Sequence, residues 1–290
     1  MENKLNLWVE EKYSNIASLK FKIKRHLFSQ KSQYQQVDIV ETEGFGKMLL
    51  NDGLVMVSER DEFVYHEMIA HVPLFIHPNP QQVLIIGGGD GGSAREVIRH
   101  MEVQKCHMVE IDRVVVDACK EHIPQTSCEL DNSLVKLHIE DGVKFVKETK
   151  ERFDVILIDS TDPIGPASPL FGEAFYRNVN KILTPNGIVI AQGESPFYYA
   201  DTQKSGLALL GKIFSKVHIY NFSNLTYPGG LWSFWYASQA LCPINDFKPE
   251  RVKDSGLKFS YYNTEIHKAA FALPEFMRKE LGDLLTPINL

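Results

Sequence analysis

Val83-Leu84-Ile85-Ile86-Gly87-Gly88-Gly89-Asp90-Gly91-Gly92 is the stretch that decides the fold. Its four aliphatic residues favour a buried strand, and the glycines that follow favour a tight turn with positive φ. Residues 93–100 then have the pattern of a helix. A strand, a glycine turn and a helix start let a ligand approach the backbone closely, so we expect a nucleotide or nucleoside to bind here.

Strands and helices alternate on the C-terminal side of this loop, as far as about residue 240. This alternation predicts an α/β, Rossmann-like fold of the class I methyltransferase type, with a mostly parallel sheet and helices on both faces. The predicted strands are 83–86, 106–111, 135–139, 153–158, 187–192, 216–221 and 231–237. Ligands in such sheets bind at the carboxyl ends of the strands.

The chain before the glycine loop has a different pattern. Short apolar and polar runs between turn residues predict a small antiparallel β unit, and a helical period replaces them from Glu59 to Phe75. We therefore expect an N-terminal β domain, 1–58, and a Rossmann-like catalytic domain, 59–290. The β unit is too small to be stable alone, so we expect a homodimer or a homotetramer. The predicted strands of this unit are 18–24, 36–40, 47–50 and 54–58.

The composition of the 290 residues is that of an ordinary globular protein, with 44% hydrophobic and 23% charged residues. The net charge of −6 and the lack of a basic tract argue against nucleic acid and favour a cationic small substrate. No stretch approaches the roughly 20 apolar residues of a membrane helix. The four cysteines lack the spacing of a disulfide or zinc framework, so we expect a cytoplasmic protein that does not bind membranes.

Acidic side chains follow four successive predicted strands. Asp90 lies in the glycine loop itself, and Glu110, which ends the second strand, would accept hydrogen bonds from both ribose hydroxyls. The third strand leads to 141–142 (DG), which suits an adenine amino group, and the fourth leads to 159–166 (DSTDPIGP). Any one of these acids could be a helix cap or a solvated loop residue, but four in order indicate a ligand site.

Asp90 also discriminates between ligands. A dinucleotide pyrophosphate, or the carboxylate of S-adenosylmethionine, would face this aspartate inside the glycine loop, and like charges disfavour that approach. A nucleoside with a cationic tail fits better, which argues against a dehydrogenase. A small-molecule methyltransferase shares the predicted sheet and loop and stays an alternative, as does a non-catalytic sensor of polyamines or nucleosides.

These motifs together resemble the polyamine aminopropyltransferases, in particular the spermidine synthases. The resemblance implies transfer of an aminopropyl group from decarboxylated S-adenosylmethionine, as a co-substrate, to putrescine, which gives spermidine and methylthioadenosine. It implies no metal and no other cofactor. Besides the glycine loop and the acids, the stretches that carry it are 34–35 (YQ), 51–53 (NDG), 59–67 (ERDEFVYHE), 226–230 (TYPGG), 261–263 (YYN) and 270–274 (AFALP).

The resemblance also implies roles for individual residues. Asp159 would be the general base, and the loop 160–171 would close over the substrates. The residues that would bind the donor nucleoside are Gln35, Gly87, Gly89, Asp90, Glu110, Asp141, Gly142 and Pro166. The residues that would bind the amine are Tyr65, His66, Asp90, Asp159, Asp162, Gln192, Glu194 and Tyr227.

Two departures from the family pattern concern the amine end of the site. Leu225 stands where many family members have proline, which could alter the loop that contains 226–230. Residues 192–195 (QGES) vary within the family, so cadaverine, agmatine or spermidine stay possible acceptors.

Two other catalytic motifs are rejected. His66 and His71 resemble the histidines of a zinc-protease helix, but side chains five residues apart lie about 140° apart around a helix and cannot share a metal. No Gly-x-Ser-x-Gly elbow follows a strand, which argues against a serine hydrolase. We expect Trp232 and Trp235 to lie in the core.

Overall fold

A five-stranded antiparallel sheet forms from the first part of the chain. The computed structural model describes residues 6–13, 16–161 and 165–289, with the backbone alone for 165–167. Each strand pairs with the next one along the chain, which confirms the predicted antiparallel unit. The strands are β1 Trp8–Tyr13, β2 Ala17–Lys31, β3 Gln36–Thr42, β4 Lys47–Asn51 and β5 Leu54–Ser58.

Two strands of this sheet differ from the prediction. The strand β1 was missed because the residues that it buries are Glu11 and Tyr13, so no apolar alternation marks it. The strand β2 extends to Lys31 instead of ending near residue 24. Its pairing with β3 shifts register twice, and each shift interrupts the alternation on which the sequence pattern depends.

A seven-stranded sheet contains the glycine-loop strand near its centre. Five of its strands are parallel, and β12 runs antiparallel to both of its neighbours, which confirms the predicted mostly parallel sheet. The strands are β6 Gln82–Gly87, β7 Lys105–Glu110, β8 Val135–Ile139, β9 Phe153–Asp159, β10 Leu183–Gln192, β11 Lys216–Ser223 and β12 Leu231–Ser238, in the order β11-β12-β10-β9-β6-β7-β8.

Helices cover both faces of this sheet. Val83 and Ile85 pack in the apolar cluster that includes the first helix, whereas Leu84 and Ile86 pack in the opposite cluster. This alternation follows from the period of two in a strand. The helices are α1 Glu62–Ile76, α2 Gly92–Val97, α3 Arg113–His122, α4 Pro124–Ser127, α5 Gly142–Glu148, α6 Glu173–Ile182, α7 Ala200–Gly211, α8 Pro249–Asp254, α9 Thr264–Ala270 and α10 Glu275–Leu281. None of the helices among the described residues has the length and apolar character needed to cross a membrane.

The order of the strands determines where a ligand can bind. From β6 the chain adds β7 and β8 on one side, and it then returns to add β9 on the other side of β6. Such a reversal opens a crevice at the carboxyl ends of the two central strands. Gly87, at the end of β6, pairs with Asp159, at the end of β9, so the glycine loop and the fourth acidic loop are neighbours.

Glu67, a buried residue of α1, fixes the C-terminal segment to this helix. Its carboxylate accepts the backbone N–H groups of Ser260 at 2.7 Å, Tyr261 at 2.8 Å and Tyr262 at 2.7 Å. Hydrogen bonds to a charged acceptor are stronger than those to a neutral one. The segment 260–262 is therefore held by one side chain.

We expect Glu67→Gln to lower the free energy of unfolding by about 2–4 kcal/mol, because in either orientation the new amide NH₂ would face at least one of these three N–H groups as a donor. Urea unfolding followed by fluorescence measures the change. Glu148→Gln, an exposed glutamate of α5, is the control and should change stability by less than about 0.5 kcal/mol. Equal stability of the two variants would contradict the role given to Glu67.

Candidate active site

A cavity lies over the carboxyl ends of β6, β7 and β9, and the five-stranded sheet closes its other side. It brings together residues that are far apart in the sequence. The sequence-predicted residues that line it are Gln35, Tyr65, His66, Gly87, Gly89, Asp90, Glu110, Asp141, Gly142, Asp159, Gln192 and Tyr227.

Of the predicted residues that the structure describes with their side chains, Glu194 does not line the cavity. Glu194 is buried behind the wall, where its Oε1 accepts a hydrogen bond from the Gln192 amide at 3.3 Å. Asp162 lies outside the described residues, and so does the side chain of Pro166. The predicted closing loop 160–171 is thus described in part, with residues 165–171 in a 3₁₀ helix.

The glycine loop is held against the end of β9. The N–H of Gly88 donates to the carbonyl oxygen of Asp159 at 2.8 Å. Gly87 has a φ of +87°, and a Cβ at this position would lie 2.1 Å from the same carbonyl oxygen. A side chain at residue 87 would therefore separate the loop from Asp159.

The part of the cavity beside β7 contains Glu110, at the end of that strand. Its carboxylate is buried and accepts the backbone N–H of Asp112 at 2.8 Å. Burial raises the pKa of Glu110 to about 7, although the Asp112 N–H acts to lower it. Asp141 caps α5 by accepting the N–H groups of Val143 and Lys144, so it is a helix cap and a cavity residue at once.

Asp112 joins the two sheets beside this part of the cavity. Its Oδ2 accepts hydrogen bonds from Ser32 Oγ at 2.7 Å and from Gln35 Nε2 at 3.1 Å. Ser32 and Gln35 lie in the turn between β2 and β3, whereas Asp112 caps α3. The turn is therefore placed over Glu110 by two side-chain contacts.

His66, Asp90 and Asp159 form the polar centre of the cavity. His66 Nε2 lies 3.3 Å from Asp90 Oδ1. The two oxygens of Asp159 accept hydrogen bonds from the Tyr65 hydroxyl at 2.8 Å and from the Ser93 hydroxyl at 2.6 Å. Burial, together with the charge of Asp90, raises the pKa of Asp159, while His66, Ser93 and Tyr65 act to lower it.

Nitrogen and oxygen atoms of the polar centre come within 4.8 Å of one another, a spacing that a metal ion could use. Hydrogen bonds within the protein account for this spacing, because Asp159 accepts two hydroxyls and Asp90 accepts the N–H of Gly92 at 2.9 Å. His71, the other histidine of the rejected zinc motif, contacts Glu96 and His100 instead.

Aromatic side chains line another part of the cavity. The rings of Tyr65 and Tyr227 meet edge to face at 5.9 Å, and the Tyr227 hydroxyl donates to the carbonyl oxygen of Met56 at 2.8 Å. Tyrosines of this kind cover methylene groups with their rings and meet polar atoms with their hydroxyls.

The loop that contains Tyr227 is held by Asp61. The Asp61 carboxylate accepts the N–H groups of Leu225 at 2.8 Å and Thr226 at 3.0 Å, and also the hydroxyls of Thr226 and Ser58. Leu225 was expected to alter this loop relative to proline. Leu225 has a backbone N–H, which proline lacks, and this N–H donates one additional hydrogen bond to Asp61.

The comparisons with known proteins agree with this geometry. Residues 62–249 match the family model described as the spermine/spermidine synthase domain, and residues 7–59 match the spermidine synthase tetramerisation domain. A polyamine aminopropyltransferase of Alkaliphilus metalliredigens is 46% identical over 279 residues, which are 96% of this chain and 98% of that protein.

The chain belongs to the spermine/spermidine synthase family. A solved spermidine synthase in complex with the transition-state analogue AdoDATO is 43% identical, with a TM-score of 0.94 over 96% of each chain. The spermidine synthase of Thermotoga maritima, also 43% identical, has a TM-score of 0.92 over 96% of this chain and 95% of that one. The resemblance inferred from the motifs is confirmed, and with it the interpretation of the chain as an enzyme of this family.

Several cavity residues were not predicted from the sequence. Glu11 and Tyr13 reach the cavity from β1, where the Tyr13 hydroxyl donates to Glu11 at 2.9 Å. Residues 10–12 are all charged, which is typical of a solvent-exposed strand. The sequence signal for a buried Glu11 is its position two residues before Tyr13, which places both side chains on the same face of the strand. Trp235 lies in the core as expected, whereas the buried Trp232 also lines the cavity.

We expect Asp61→Asn to speed amide hydrogen exchange at Leu225 and Thr226 by about tenfold or more, because the neutral amide oxygen accepts their N–H groups more weakly than the charged carboxylate does. Exchange followed by NMR measures the effect. Asp246→Asn is the control, since Asp246 accepts the N–H of Cys242 in a different loop. If protection at residues 225 and 226 stayed unchanged in Asp61→Asn, the carboxylate would not be the anchor of this loop.

Proposed function

We propose that this protein is a spermidine synthase, which transfers the aminopropyl group of decarboxylated S-adenosylmethionine to putrescine. The amine nitrogen forms a bond to the methylene carbon beside sulfur, the C–S bond breaks, and methylthioadenosine leaves. The observation that carries the proposal is the place of Asp159, which lies between the glycine loop on one side and Tyr65 on the other.

The nucleoside side of the cavity suits the donor. Glu110 would accept the ribose hydroxyls, and Asp141 with Gly142 would meet the adenine. Gln35 would complete this side from the turn that Asp112 holds. Asp90 would face the cationic aminopropyl end, where the donor lacks the carboxylate of its parent compound.

The amine side suits a diamine, because carboxylates occur in two separate parts of it. Asp159 lies at the end of β9, while Glu11 lies in the wall formed by β1, with Glu194 behind Gln192. Tyr65 and Tyr227 would cover the methylenes between the two amines. Asp162 is included in the proposal on the basis of the family motif.

The chemistry requires an unprotonated amine. An alkyl ammonium has a pKa of about 10.4, so the free base costs roughly 4–5 kcal/mol at neutral pH. Asp159 would accept the proton of the attacking end, and its raised pKa suits that task. The sulfonium supplies a neutral thioether leaving group, so the proposal includes no metal and no further cofactor.

The proposal also covers the two domains, the subunit assembly and the cellular location of the protein. We assign residues 1–58 to a domain that closes the site and pairs subunits, and residues 59–290 to the catalytic domain. The tetramerisation-domain match of residues 7–59 favours a tetramer over a dimer. The four cysteines are free thiols, which fits a reducing, cytoplasmic location.

A mass-resolved product assay tests this function. We expect spermidine and methylthioadenosine from decarboxylated S-adenosylmethionine and putrescine, with less product from cadaverine, agmatine or spermidine. If product formed only with another amine, that amine and not putrescine would be the acceptor. A methylated product from the carboxylated donor would overturn it in favour of a methyltransferase.

We expect Asp159→Asn to lower kcat by about 10²–10⁴-fold, the usual effect of removing a general base. Steady-state rates with saturating substrates measure this effect. Asp117→Asn, an exposed aspartate of α3, is the control and should keep the full rate. Wild-type turnover in Asp159→Asn would remove this residue from the mechanism.

We expect the affinity for methylthioadenosine to rise about tenfold from pH 6 to pH 8. Ribose hydroxyls donate to the ionised form of Glu110, whose pKa is raised to about 7, so binding favours loss of its proton. Calorimetric titrations at several pH values measure the affinity. Glu110→Gln should bind more weakly and without this pH dependence, and an unchanged slope in that variant would assign the effect to another group.

A further inference from the structure

A buried row of alternating charges extends from the polar centre into the protein. Arg95 contacts Glu62, Glu62 contacts His66, and His66 contacts Asp90. The side chains of Glu62 and His66 are 2% and 1% exposed. Family motifs and composition assign no role to Glu62, which lies one turn before His66 on α1.

Glu62 is held in one position by three donors other than histidine. The two terminal nitrogens of Arg95 donate to its two oxygens at 2.9 and 2.8 Å, and Gln125 Nε2 donates at 2.8 Å. Burial acts to raise the pKa of Glu62, but His66 and Arg95 outweigh it and hold the pKa well below its usual range. Glu62 is therefore a fixed carboxylate.

His66 has a carboxylate at each ring nitrogen. Nδ1 lies 2.5 Å from Glu62 Oε2, and Nε2 lies 3.3 Å from Asp90 Oδ1. A proton on each ring nitrogen, which is the imidazolium form, would place a donor beside each of these carboxylates. Burial acts to lower the pKa of His66, yet Asp90 and Glu62 raise it to about 10.

Helix α2 packs against one side of the His66 ring, because a Cβ at Gly92 would lie 2.2 Å from it. Asp90 Oδ1, which accepts the N–H of Gly92 at 2.9 Å, lies 3.3 Å from His66 Nε2. The direction in which Asp90 faces the cavity thus depends on where His66 is held.

We propose that Glu62, anchored by Arg95, is a positioning residue that holds His66 as an imidazolium and thereby orients Asp90 toward the amine. This inference rests on the proposed function for its effect on catalysis. The charged groups that face His66 are Glu62 on α1, Asp90 after β6 and Asp159 on β9, with Arg95 of α2 behind Glu62.

The imidazolium has a physical consequence for the attacking amine. A positive charge beside the polar centre disfavours a second cation there, so it lowers the pKa of the attacking nitrogen and favours the free base. Without that charge, Asp90 and Asp159 would stabilise the ammonium form. Glu62 would therefore act on the reaction through His66, without touching the substrate.

Glu62→Gln tests the proposal, with Glu96→Gln as a matched control. Both acids are buried and both contact Arg95, but Glu96 contacts His71 and not His66. We expect Glu62→Gln to raise the KM for putrescine about tenfold and to lower the pH at which the His66 ring loses its proton by about one to two units. Glu96→Gln should leave both unchanged.

Nitrogen NMR of the His66 ring gives a readout that needs no activity. In the wild-type protein without substrates, both ring nitrogens should stay protonated at pH 8, whereas Glu62→Gln should lose the ring proton about one to two pH units lower. A neutral His66 at pH 8 in the wild type would overturn the proposal without any variant. Identical ring titration or identical KM in the two variants would overturn it as well.

The two proposals can fail separately. An inactive wild type with a doubly protonated His66 would disprove the proposed reaction and leave the position of His66 established. An active wild type with a neutral His66 would support the proposed reaction and disprove the role given to Glu62 and His66.

Discussion

Buried carboxylates on and just before α1 hold together the segments that build the active site. Asp61 binds the loop of Tyr227, Glu62 binds Arg95 and His66, and Glu67 binds the C-terminal segment. A desolvated carboxylate costs several kcal/mol unless donors surround it, so each of these acids fixes the distance between α1 and its partner. The helix is thereby placed with respect to both sides of the cavity.

The second constraint is the pairing of β6 with β9. Because the order of the strands reverses at β6, Gly87 and Asp159 are register partners, and a cavity opens beyond them. Glu110 lies in the part of the cavity toward β7, and Tyr65 and Tyr227 lie in the part toward β1. Asp159 is therefore placed by the backbone of the sheet, and its orientation is set by the hydroxyls of Tyr65 and Ser93.

Much of this arrangement can be predicted from local patterns. Within about ten residues, the sequence pattern shows a buried strand, its glycine turn or the acid after a strand, so the sheet and the cavity acids Asp90, Glu110, Asp141 and Asp159 follow from local patterns. The N-terminal sheet is harder to predict. Its β1 buries the polar Glu11 and Tyr13, and the register shifts of β2 break the alternation of apolar residues.

The sequence by itself determined the fold class, the family and the acids at the strand ends, because strand period, glycine turns and strand termini are properties of neighbouring residues. Only the tertiary structure decided which of those acids meet other charges. Asp61 and Leu225 are 164 residues apart, and Glu62 and Arg95 are 33 apart. Contacts of that kind depend on how the sheet and α1 pack against each other. Packing between residues so far apart in the chain produces no periodic pattern in the sequence.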